Sequence, residues 1–459
     1  MSRADIEKIT VIGGGSSYTP ELIDGFIQNE EALKVGEIAL FDIDEERLSI
    51  VGGMAQRQVR YAELDTKVTL NYDRPRAIEG AKFVLSSMRV GHMAARILDE
   101  KIPLKYGVIG QETTGPGGTL KAWRTIPVSL DIAKDMEKYA PDAWYINFTN
   151  PSGIMTEALL KHTNLKVVGL CNNPINTIAA MAEAFQVEPK DVFLEWMGMN
   201  HVNWVRKVYI KGQDMTQILF DSWEEMVMNH DNWVHKVSNK GLDVAQIPFD
   251  HLKGMMKIKE MPNFDPELIR TLGVLPTYYL QYYYYHPDRV REEKEADKTR
   301  GEVVLGVEKD LLKMYADPKV LIKPPELMLR GGARYSEAAV NLILSLMLDR
   351  RDVQIVVARN GSSIADFPED VSVEVPCVVG AHGVTPLSMG HFPESIRALA
   401  IQAKAWESAV VKAAVSGSHR DAVLAMLQNP LVPDYPTAVK LVDEMLEAHK
   451  AYLPQFFKK

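Results

Sequence analysis

A short apolar strand that runs directly into three glycines strongly limits how this chain can fold. The strand is Ile9–Ile12, and a helical pattern resumes at Pro20, where proline is favoured because the position is early in the helix. A glycine turn between a strand and a helix presents backbone N–H groups to a pyrophosphate, and the helix dipole assists. The pattern therefore predicts a dinucleotide site. Its candidate contacts are Gly13, Gly15, Ser16 and Ser17.

The next predicted strand, Glu37–Asp42, ends in a carboxylate. Asp42 can accept hydrogen bonds from ribose hydroxyls, which favours NAD over its 2′-phosphorylated form. Two features depart from the usual fingerprint: Tyr18 stands where a third glycine is expected, and Asp42 lies further along than the usual ~20 residues. The alternative is a plain tight turn, but the succession of strand, turn, helix, strand and Asp favours NAD binding.

Short apolar runs alternate with helical patterns through the first third of the chain. Further strands are predicted at Lys82–Ser86, Trp144–Phe148 and Lys166–Leu170, and a helix at Glu45–Tyr61. This alternation is typical of right-handed crossovers and a parallel sheet. It predicts an α/β fold whose N-terminal part, residues 1–172, is a Rossmann-like, lactate/malate dehydrogenase-like dinucleotide-binding domain.

Beyond about residue 175 the pattern changes. Strand candidates such as Trp204–Ile210 and Val353–Ala358 mix with long helical stretches. The predicted helices are Tyr335–Asp349, Pro393–Ser416 and Tyr435–His449. We expect residues 173–459 to form a mixed α+β substrate and metal domain. Because no Pro/Gly/Ser linker separates the halves, the active site is expected in a cleft between them.

Charge and cysteine usage exclude several classes of protein. The 459 residues carry a net charge of −9, and an acidic chain without a basic stripe is not typical of a general nucleic-acid binder. Cys171 and Cys377 are too few for a disulfide framework, which indicates a reducing compartment. The N-terminal segment lacks the layout of a signal peptide, and no run of about 18 apolar residues predicts a membrane span. We therefore expect a cytoplasmic protein without nucleic-acid or membrane partners.

Two loops rich in Asn and Pro follow predicted strands, at Asn147–Pro151 and Cys171–Pro174. Both should open at the carboxyl edge of the sheet, where ligands bind in such folds, so we expect the Cys171 thiol to be partly exposed. His201 follows in the segment Met197–His201. A thiolate and an imidazole can hold a divalent transition metal and leave coordination positions open. The structural alternative is a buried cysteine and a core histidine.

Six tyrosines occupy the eight positions from Tyr278 to Tyr285. At helical spacing they cannot all face one way, so we expect most to pack in the core and one or two to reach the cleft. A phenol serves as a base only where something lowers its pKa, and a nearby cation does so. Arginines in loop or glycine-rich contexts can bind a phosphorylated metabolite, although each alone is typical of a surface group. They are Arg89, Arg96, Arg300, Arg330 and Arg334.

Together these segments resemble glycoside hydrolase family 4, the NAD- and metal-dependent glycosidases. The resemblance covers nearly the whole chain, and the matching segments occur in family order. They are GGGSSYTPELI at 13–23, RVG followed by R-x-LDE at 89–100, KYGVIGQETTGPGG at 105–118, NFTNPSG, GLCNNPI, MGMNH, PTYYLQYY, RGGARYSEAAVNLI and NGSSIADFPEDVSVEVPCVVG. The Cys-Asn pair at Cys171-Asn172 is similar to the 6-phospho-β-glucosidases of that family, whereas Cys-Asp is typical of its 6-phospho-α-glucosidases.

The resemblance implies roles for the matching positions. Cys171 and His201 correspond to metal ligands, usually for Mn²⁺. Tyr279 of the Pro-x-x-Tyr-Leu pattern corresponds to the catalytic base, and Tyr278 is the neighbouring alternative. Since Asn172 cannot act as a general acid, the acid of the α-specific relatives has no counterpart. The implied substrate contacts are Arg96, Asn150 and Asn172, with Arg300 as a further candidate for the substrate or its phosphate.

The implied reaction is hydrolysis of 6-phospho-β-glucosides, such as phosphorylated cellobiose or aryl glucosides, to glucose 6-phosphate and the aglycone. Hydride transfer from sugar C3 to NAD⁺ would acidify the C2 proton, which the base removes while the metal stabilises the enediolate. Elimination at C1, addition of water and return of the hydride complete the cycle without net redox change. The resemblance and the tyrosine-rich segment also favour a homodimer or homotetramer.

Three alternatives remain open at this point. The nearest is a 6-phospho-α-glucosidase or another family 4 glycosidase. An NAD-dependent hydroxy-acid dehydrogenase would share the N-terminal fold, accumulate NADH and need no metal pair. A dinucleotide-sensing regulatory protein would show no turnover, and no segment of the sequence is typical of DNA binding. The sequence leaves the gluco or galacto preference, the aglycone and the metal open.

Overall fold

The computed structural model describes residues 3–221, 223, 264–332 and 334–457. Thirteen strands occur within these ranges, in two sheets. They are β1 (Ala4–Ile12), β2 (Leu33–Phe41), β3 (Lys67–Asn71), β4 (Phe83–Ser86), β5 (Trp144–Asn147), β6 (Lys166–Gly169), β7 (Val192–Met199), β8 (Val202–Ile210), β9 (Gln213–Asp214), β10 (Leu275–Pro276), β11 (Asp352–Arg359), β12 (Ser372–Gly380) and β13 (Gly383–Pro386).

Helices connect and cover these strands. They are α1 (Thr19–Gln28), α2 (Glu45–Tyr61), α3 (Arg74–Ile78), α4 (His92–Lys105), α5 (Gly115–Tyr139), α6 (Ser152–His162), α7 (Asn172–Phe185), α8 (Thr216–Asp221), α9 (Pro266–Leu272), α10 (Gln281–Tyr284), α11 (His286–Glu295), α12 (Arg300–Ala316), α13 (Tyr335–Leu348), α14 (Glu394–Ser416), α15 (His419–Gln428), α16 (Tyr435–Ala448) and α17 (Pro454–Phe457). Short 3₁₀ turns lie at Pro189–Asp191, Tyr278–Leu280, Pro325–Arg330 and Lys450–Tyr452. None of these described helices combines the length and apolar character that a membrane span requires.

The first six strands are parallel and stand in the order β3-β2-β1-β4-β5-β6. This is the strand order of dinucleotide-binding sheets, with its topological switch between β1 and β4. The predicted Rossmann-like sheet is therefore confirmed. Local sequence explains the helix boundaries: α2 has the predicted bounds because the Asp44 side chain accepts from the backbone N–H of Arg47, and α1 has its proline in the first turn.

The large sheet continues into the second half of the chain. β11 pairs antiparallel with β6 at Val357 and Gly169, and β12 and β13 extend the sheet to nine strands. The predicted segments 1–172 and 173–459 therefore share one sheet. The strands predicted from the sequence did not include β3, β7, β9, β10, β12 or β13. β12 is apolar in most positions and buried along nearly its whole length, so it shows no alternating pattern.

The small sheet positions the second part of the site. β7 and β8 form a hairpin whose connection is Asn200–His201, and β10 pairs with β8 through Pro276 and Trp204. The segment that follows β10 carries the tyrosine cluster. The hairpin turn and the start of the tyrosine cluster are thereby placed at the same end of the small sheet.

Candidate active site

The glycine turn lines a cavity at the carboxyl edge of the parallel sheet. The cavity encloses about 410 Å³, a size typical of small-molecule sites. Gly13, Gly15, Ser16 and Asp42 contribute to its lining. Gly13 has a φ of +86°, and a Cβ at this position would collide with the carbonyl oxygen of Ser87, so only glycine fits here.

The backbone N–H groups of the turn are less free than the sequence indicates. Gly13 and Gly14 donate to the carbonyl oxygen of Phe41 at 2.9 and 2.8 Å. Gly15 donates to Asp42 Oδ2 at 2.9 Å, and a Cβ on Gly15 would lie 2.9 Å from the same oxygen. The turn therefore aims the Asp42 carboxylate along the cavity wall. This arrangement fits a dinucleotide whose ribose hydroxyls bind Asp42.

Ser17 does not line the cavity, although it is a predicted cofactor contact. Its hydroxyl donates to Glu308 Oε1 at 2.9 Å, and its side chain is buried. Glu308 also pairs with Arg47, and both Glu308 and Arg47 line the cavity. Ser17 therefore supports a cavity wall through Glu308.

Replacing Asp42 with asparagine is expected to weaken NAD⁺ binding about 10- to 100-fold. A hydrogen bond to a charged group contributes about 1.5–3 kcal/mol, and about 1.4 kcal/mol is a factor of ten in affinity. Asparagine keeps an oxygen for the Gly15 N–H, so the turn is retained. Calorimetric titration with NAD⁺ and NADP⁺ measures the change. Asp44→Asn, which alters the carboxylate that caps α2, is the matched control, and equal affinity of both variants would refute the role of Asp42.

Cys171 and His201 meet although they come from different sheets. Cys171 Sγ lies 3.6 Å from His201 Nε2. A thiolate about 2.3 Å and an imidazole nitrogen about 2.1 Å from one cation are about 3.6 Å apart at the tetrahedral angle. The pair therefore fits a divalent transition metal. Within the described ranges no group of three or more His, Cys, Asp or Glu side chains forms a metal site, so this pair leaves coordination positions open.

The expectation that the Cys171 thiol is partly exposed is wrong. The residue is only 4% exposed. It caps α7, and its sulfur accepts from the backbone N–H of Asn173 at 3.5 Å. Burial raises the pKa of the thiol to about 12, and the carboxyl group of Glu374 adds to the rise. Hydrogen bonds from Asn173, Asn200 and Tyr335 oppose it. A bound cation reverses this balance because a coordinating thiol is deprotonated.

The tight turn between β7 and β8 orients His201. The residue has a φ of +68°, in the left-handed region that non-glycine residues seldom adopt. Burial lowers the pKa of His201 to about 3, and the positive charge of Lys121 contributes. The imidazole is therefore neutral, the form that binds metals. Its Nδ1 atom has no hydrogen-bond partner among the described residues.

Tyr279 is the tyrosine whose ring contacts His201. Its ring stacks on the His201 ring with 3.8 Å between centroids, whereas Tyr278 packs edge-on against Tyr279 at 5.3 Å. Burial raises the pKa of Tyr279, nearby Cys171 and Glu112 raise it further, and a hydrogen bond with Thr113 lowers it. Without a bound cation, the phenol is thus held protonated. Positive charge beside it would lower its pKa and allow it to act as a base.

Sequence reasoning missed a buried ionic cluster beside these residues. Glu112 accepts from Lys121 at 2.9 Å, and it forms ion pairs with Arg96 at 3.0 Å and with Arg89. These cations hold the pKa of Glu112 well below its usual range despite burial. Burial, reinforced by Arg89, lowers the pKa of Lys121 to about 7. Lys121 and Arg89 both line the cavity. Glu112 and Lys121 flank the Thr-Thr-Gly-Pro-Gly-Gly segment, which was quoted above only as part of a family-matching motif.

Tyr335 is a second residue that sequence reasoning did not single out. It begins α13, lines the cavity with Asn150 and Arg330, and its phenol lies close to Cys171. Asn150 has a buried Oδ1 atom without a hydrogen-bond partner among the described residues. An unpartnered buried oxygen on a residue that lines a cavity fits a site for a polar ligand.

The other predicted substrate contacts lie outside this lining. Arg96 is buried and paired with Glu100 at 2.8 Å as well as with Glu112. Arg300 begins α12 and donates to the carbonyl oxygen of Leu329 at 3.0 Å. Asn172 is the first residue of α7, directly after Cys171. Within the described residues the structure thus brings Asn150 into the cavity lining, whereas Arg96, Arg300 and Asn172 lie outside it.

Comparison with known proteins adds independent findings. Residues 8–187 match the profile described as family 4 glycosyl hydrolase, and residues 196–432 match the profile of its C-terminal domain. The chain is 44% identical over 460 residues to a probable 6-phospho-beta-glucosidase of Bacillus subtilis (strain 168), covering 98% of each chain. It is 37% identical over 457 residues to the 6-phospho-beta-glucosidase of Escherichia coli (strain K12), covering 98% of this chain and 96% of the other.

A solved structure supports the same relationship. The 6-phospho-beta glucosidase of Thermotoga maritima, solved with manganese, NAD⁺ and glucose-6-phosphate, superimposes with a TM-score of 0.84. The two sequences are 33% identical, and the match covers 97% of this chain and 99% of the other. The whole architecture described above, and not only its dinucleotide-binding sheet, is therefore shared.

Proposed function

This chain belongs to family 4 of the glycosyl hydrolases, and on that premise we propose that it hydrolyses 6-phospho-β-glucosides to glucose 6-phosphate and the free aglycone. NAD and a divalent cation, Mn²⁺, are its proposed cofactors. The names of the relatives support the substrate, and the groups bound in the Thermotoga maritima structure support both cofactors.

One structural observation carries the proposal: the Cys171–His201 pair and the stacked Tyr279 lie at the same sheet edge as the dinucleotide-type cavity. Most glycosidases use two carboxylates on either side of the glycosidic bond, and NAD-dependent family 4 enzymes are an exception. A simple hydroxy-acid dehydrogenase has no use for a thiolate–imidazole metal pair. The combination favours hydrolysis through transient oxidation of the sugar.

Two cofactors would share the proposed reaction, and different residues would hold each of them. When bound, NAD would supply reversible hydride transfer at sugar C3, and the cation would supply Lewis-acid stabilisation of the neighbouring oxygens. Cys171 and His201 would hold the cation. The dinucleotide would be held by Gly13, Gly15, Ser16 and Asp42.

Tyr279 is the proposed base. Its ring lies against His201, and its phenol lies within hydrogen-bonding reach of Thr113. We propose that the Tyr279 oxygen removes the proton from sugar C2 once the neighbouring C3 is oxidised. Positive charge next to the ring counteracts the burial that raises the pKa of the phenol.

The sugar phosphate needs cationic partners in an otherwise acidic protein. Arg89, Lys121 and Arg330 line the cavity together with Asn150. We propose that Asn150 binds the sugar and that these cations bind the phosphate. We also propose that Asn172 and Arg300 contact the substrate. Arg96 would act indirectly, by holding Glu112 in place.

The β-anomer preference rests on Cys171-Asn172 and on the names of the relatives. The Asn172 amide cannot protonate a leaving group, whereas the aspartate expected in α-specific enzymes can. A 6-phospho-α-glucosidase remains the alternative to be tested.

We also propose that the active site lies between residues 1–172 and 173–459, because the cavity lining draws on both, including Glu308, Arg330 and Tyr335 from the second. A cytoplasmic homodimer or homotetramer is part of the same proposal. Light scattering during gel filtration would give the subunit number, and a monomer would refute it.

Release of p-nitrophenol from its β-glucoside 6-phosphate tests the function. We expect release only when NAD⁺ and Mn²⁺ are both present, without accumulation of NADH at 340 nm, since the hydride is returned in each cycle (about one NADH per active site at most). NADH accumulation without phenol release would instead indicate a dehydrogenase. Turnover of only the α-anomer would move the chain to the other subclass.

A further inference from the structure

One buried carboxyl group hydrogen-bonds to the turn that carries His201. Through further hydrogen bonds it is also connected to the turn that carries Tyr279. Glu374 lies in β12 and has no exposed surface. Its Oε1 accepts from Asn200 Nδ2 at 2.9 Å. Its Oε2 accepts from Trp196 Nε1 at 3.0 Å and from Asn203 Nδ2. All three donors belong to the β7–β8 hairpin, so Glu374 ties this hairpin to the large sheet.

The first arm of this network leads to the metal pair. Asn200 immediately precedes His201 in the turn, and it is 4% exposed. Its side chain also lies close enough to Cys171 to lower the pKa of that thiol. The Glu374 carboxyl group thus fixes an amide that contacts one proposed ligand and adjoins the other.

The second arm leads to the base. Asn203 Oδ1 accepts from Thr277 Oγ1 at 2.5 Å, and the Asn203 carbonyl oxygen accepts from the same hydroxyl at 2.9 Å. The Thr277 carbonyl oxygen in turn accepts from the Leu280 N–H at 3.0 Å, which closes the 3₁₀ turn that contains Tyr279. Glu374, Asn203 and Thr277 therefore form a continuous buried chain to the tyrosine segment.

We propose that Glu374 is a positioning residue that holds the Cys171–His201 pair and Tyr279 in register with one another. The proposal rests on the function proposed above. The three site residues come from three separate segments, after β6, between β7 and β8, and after β10, so no single local element sets their spacing. Outer hydrogen-bond partners of this kind orient metal ligands, and their loss typically lowers metal affinity about 10- to 100-fold.

Glu374→Gln tests the first arm. The new amide nitrogen would face the amide nitrogen of Asn200, so that two donors would meet. The Asn200 side chain would therefore turn and present its Oδ1 atom, which has no hydrogen-bond partner among the described residues. The turned Asn200 would no longer lower the pKa of Cys171. We expect the dissociation constant for Mn²⁺ alone to rise about 10- to 100-fold, measured from the electron paramagnetic resonance signal of free Mn²⁺. The melting temperature, followed in the same samples, separates lost binding from lost folding.

Thr277→Val tests the second arm, and Thr277→Ser is its matched control. Valine removes the hydroxyl that donates to Asn203, whereas serine keeps it. We expect Thr277→Val to lower kcat about tenfold or more while the Mn²⁺ dissociation constant stays at the wild-type value. Thr277→Ser should keep kcat close to that of the wild type.

The outcomes separate this inference from the proposed function. Wild-type protein that binds no Mn²⁺ would overturn the function and the inference together. Wild-type binding that Glu374→Gln leaves unchanged would overturn the inference alone. So would a Thr277→Val variant with wild-type kcat, or one that loses Mn²⁺ binding and kcat in equal measure.

Discussion

Cys171→Ser is expected to reduce Mn²⁺-dependent hydrolysis at least about 10³-fold. The thiolate is one of two side chains that would hold the cation, and a serine hydroxyl stays protonated and binds transition metals poorly. Lewis-acid stabilisation contributes several kcal/mol, and about 4 kcal/mol corresponds to three factors of ten in rate. The rate of p-nitrophenol release at saturating Mn²⁺ and NAD⁺ measures the effect, and Mn²⁺ binding should fall with it.

The chain offers its own control, because it contains a second buried cysteine. Cys377 lies in β12, and its thiol donates to the carbonyl oxygen of Val375 at 3.3 Å. Serine preserves that hydrogen bond, so Cys377→Ser should retain activity and Mn²⁺ affinity close to wild type. Full activity in Cys171→Ser would remove the metal site from the proposal. Both variants replace a buried thiol with a hydroxyl, so the comparison separates the loss of a metal ligand from the general effect of that replacement.

Tyr279→Phe is expected to lower kcat about 10²- to 10⁴-fold, the usual contribution of a general base. Phenylalanine keeps the ring that stacks on His201 at 3.8 Å, so the metal pair should stay in place and Mn²⁺ affinity should change little. Turnover in D₂O gives a second readout. Wild-type protein should place deuterium at C2 of glucose 6-phosphate, and Tyr279→Phe should do so no faster than it hydrolyses the substrate.

Tyr278→Phe is the comparison that decides between the two neighbouring tyrosines. Tyr278 packs edge-on against Tyr279 and Tyr282 and has no described ring contact with His201. We expect its variant to keep kcat within about threefold of wild type, as is usual for a change that removes no reacting group. A large loss in Tyr278→Phe together with an active Tyr279→Phe would reverse the assignment.

The sequence predicts those features that depend on neighbours along the chain. The parallel sheet follows from alternating strands and helices, the glycine turn from Gly13 and its preceding strand, and α2 from Asp44 and the helical pattern. The family follows from ordered motifs, and the resemblance implies roles for Cys171, His201 and Tyr279 together. The placement of Tyr279, rather than Tyr278, against His201 in the structure agrees with the motif register.

Only the tertiary structure decided features that depend on contacts between distant segments. Cys171 is buried because other elements cover the start of α7, and no local pattern reports that. Glu112 pairs with Lys121, Arg89 and Arg96 only because the fold brings these side chains together. Tyr335 joins the candidate site because α13 places its phenol close to Cys171. The addition of β11 to β6, and the reach of Glu374 in β12 to the β7–β8 hairpin, likewise join segments far apart in sequence. Residue patterns determine which elements form, whereas long-range packing determines which side chains meet.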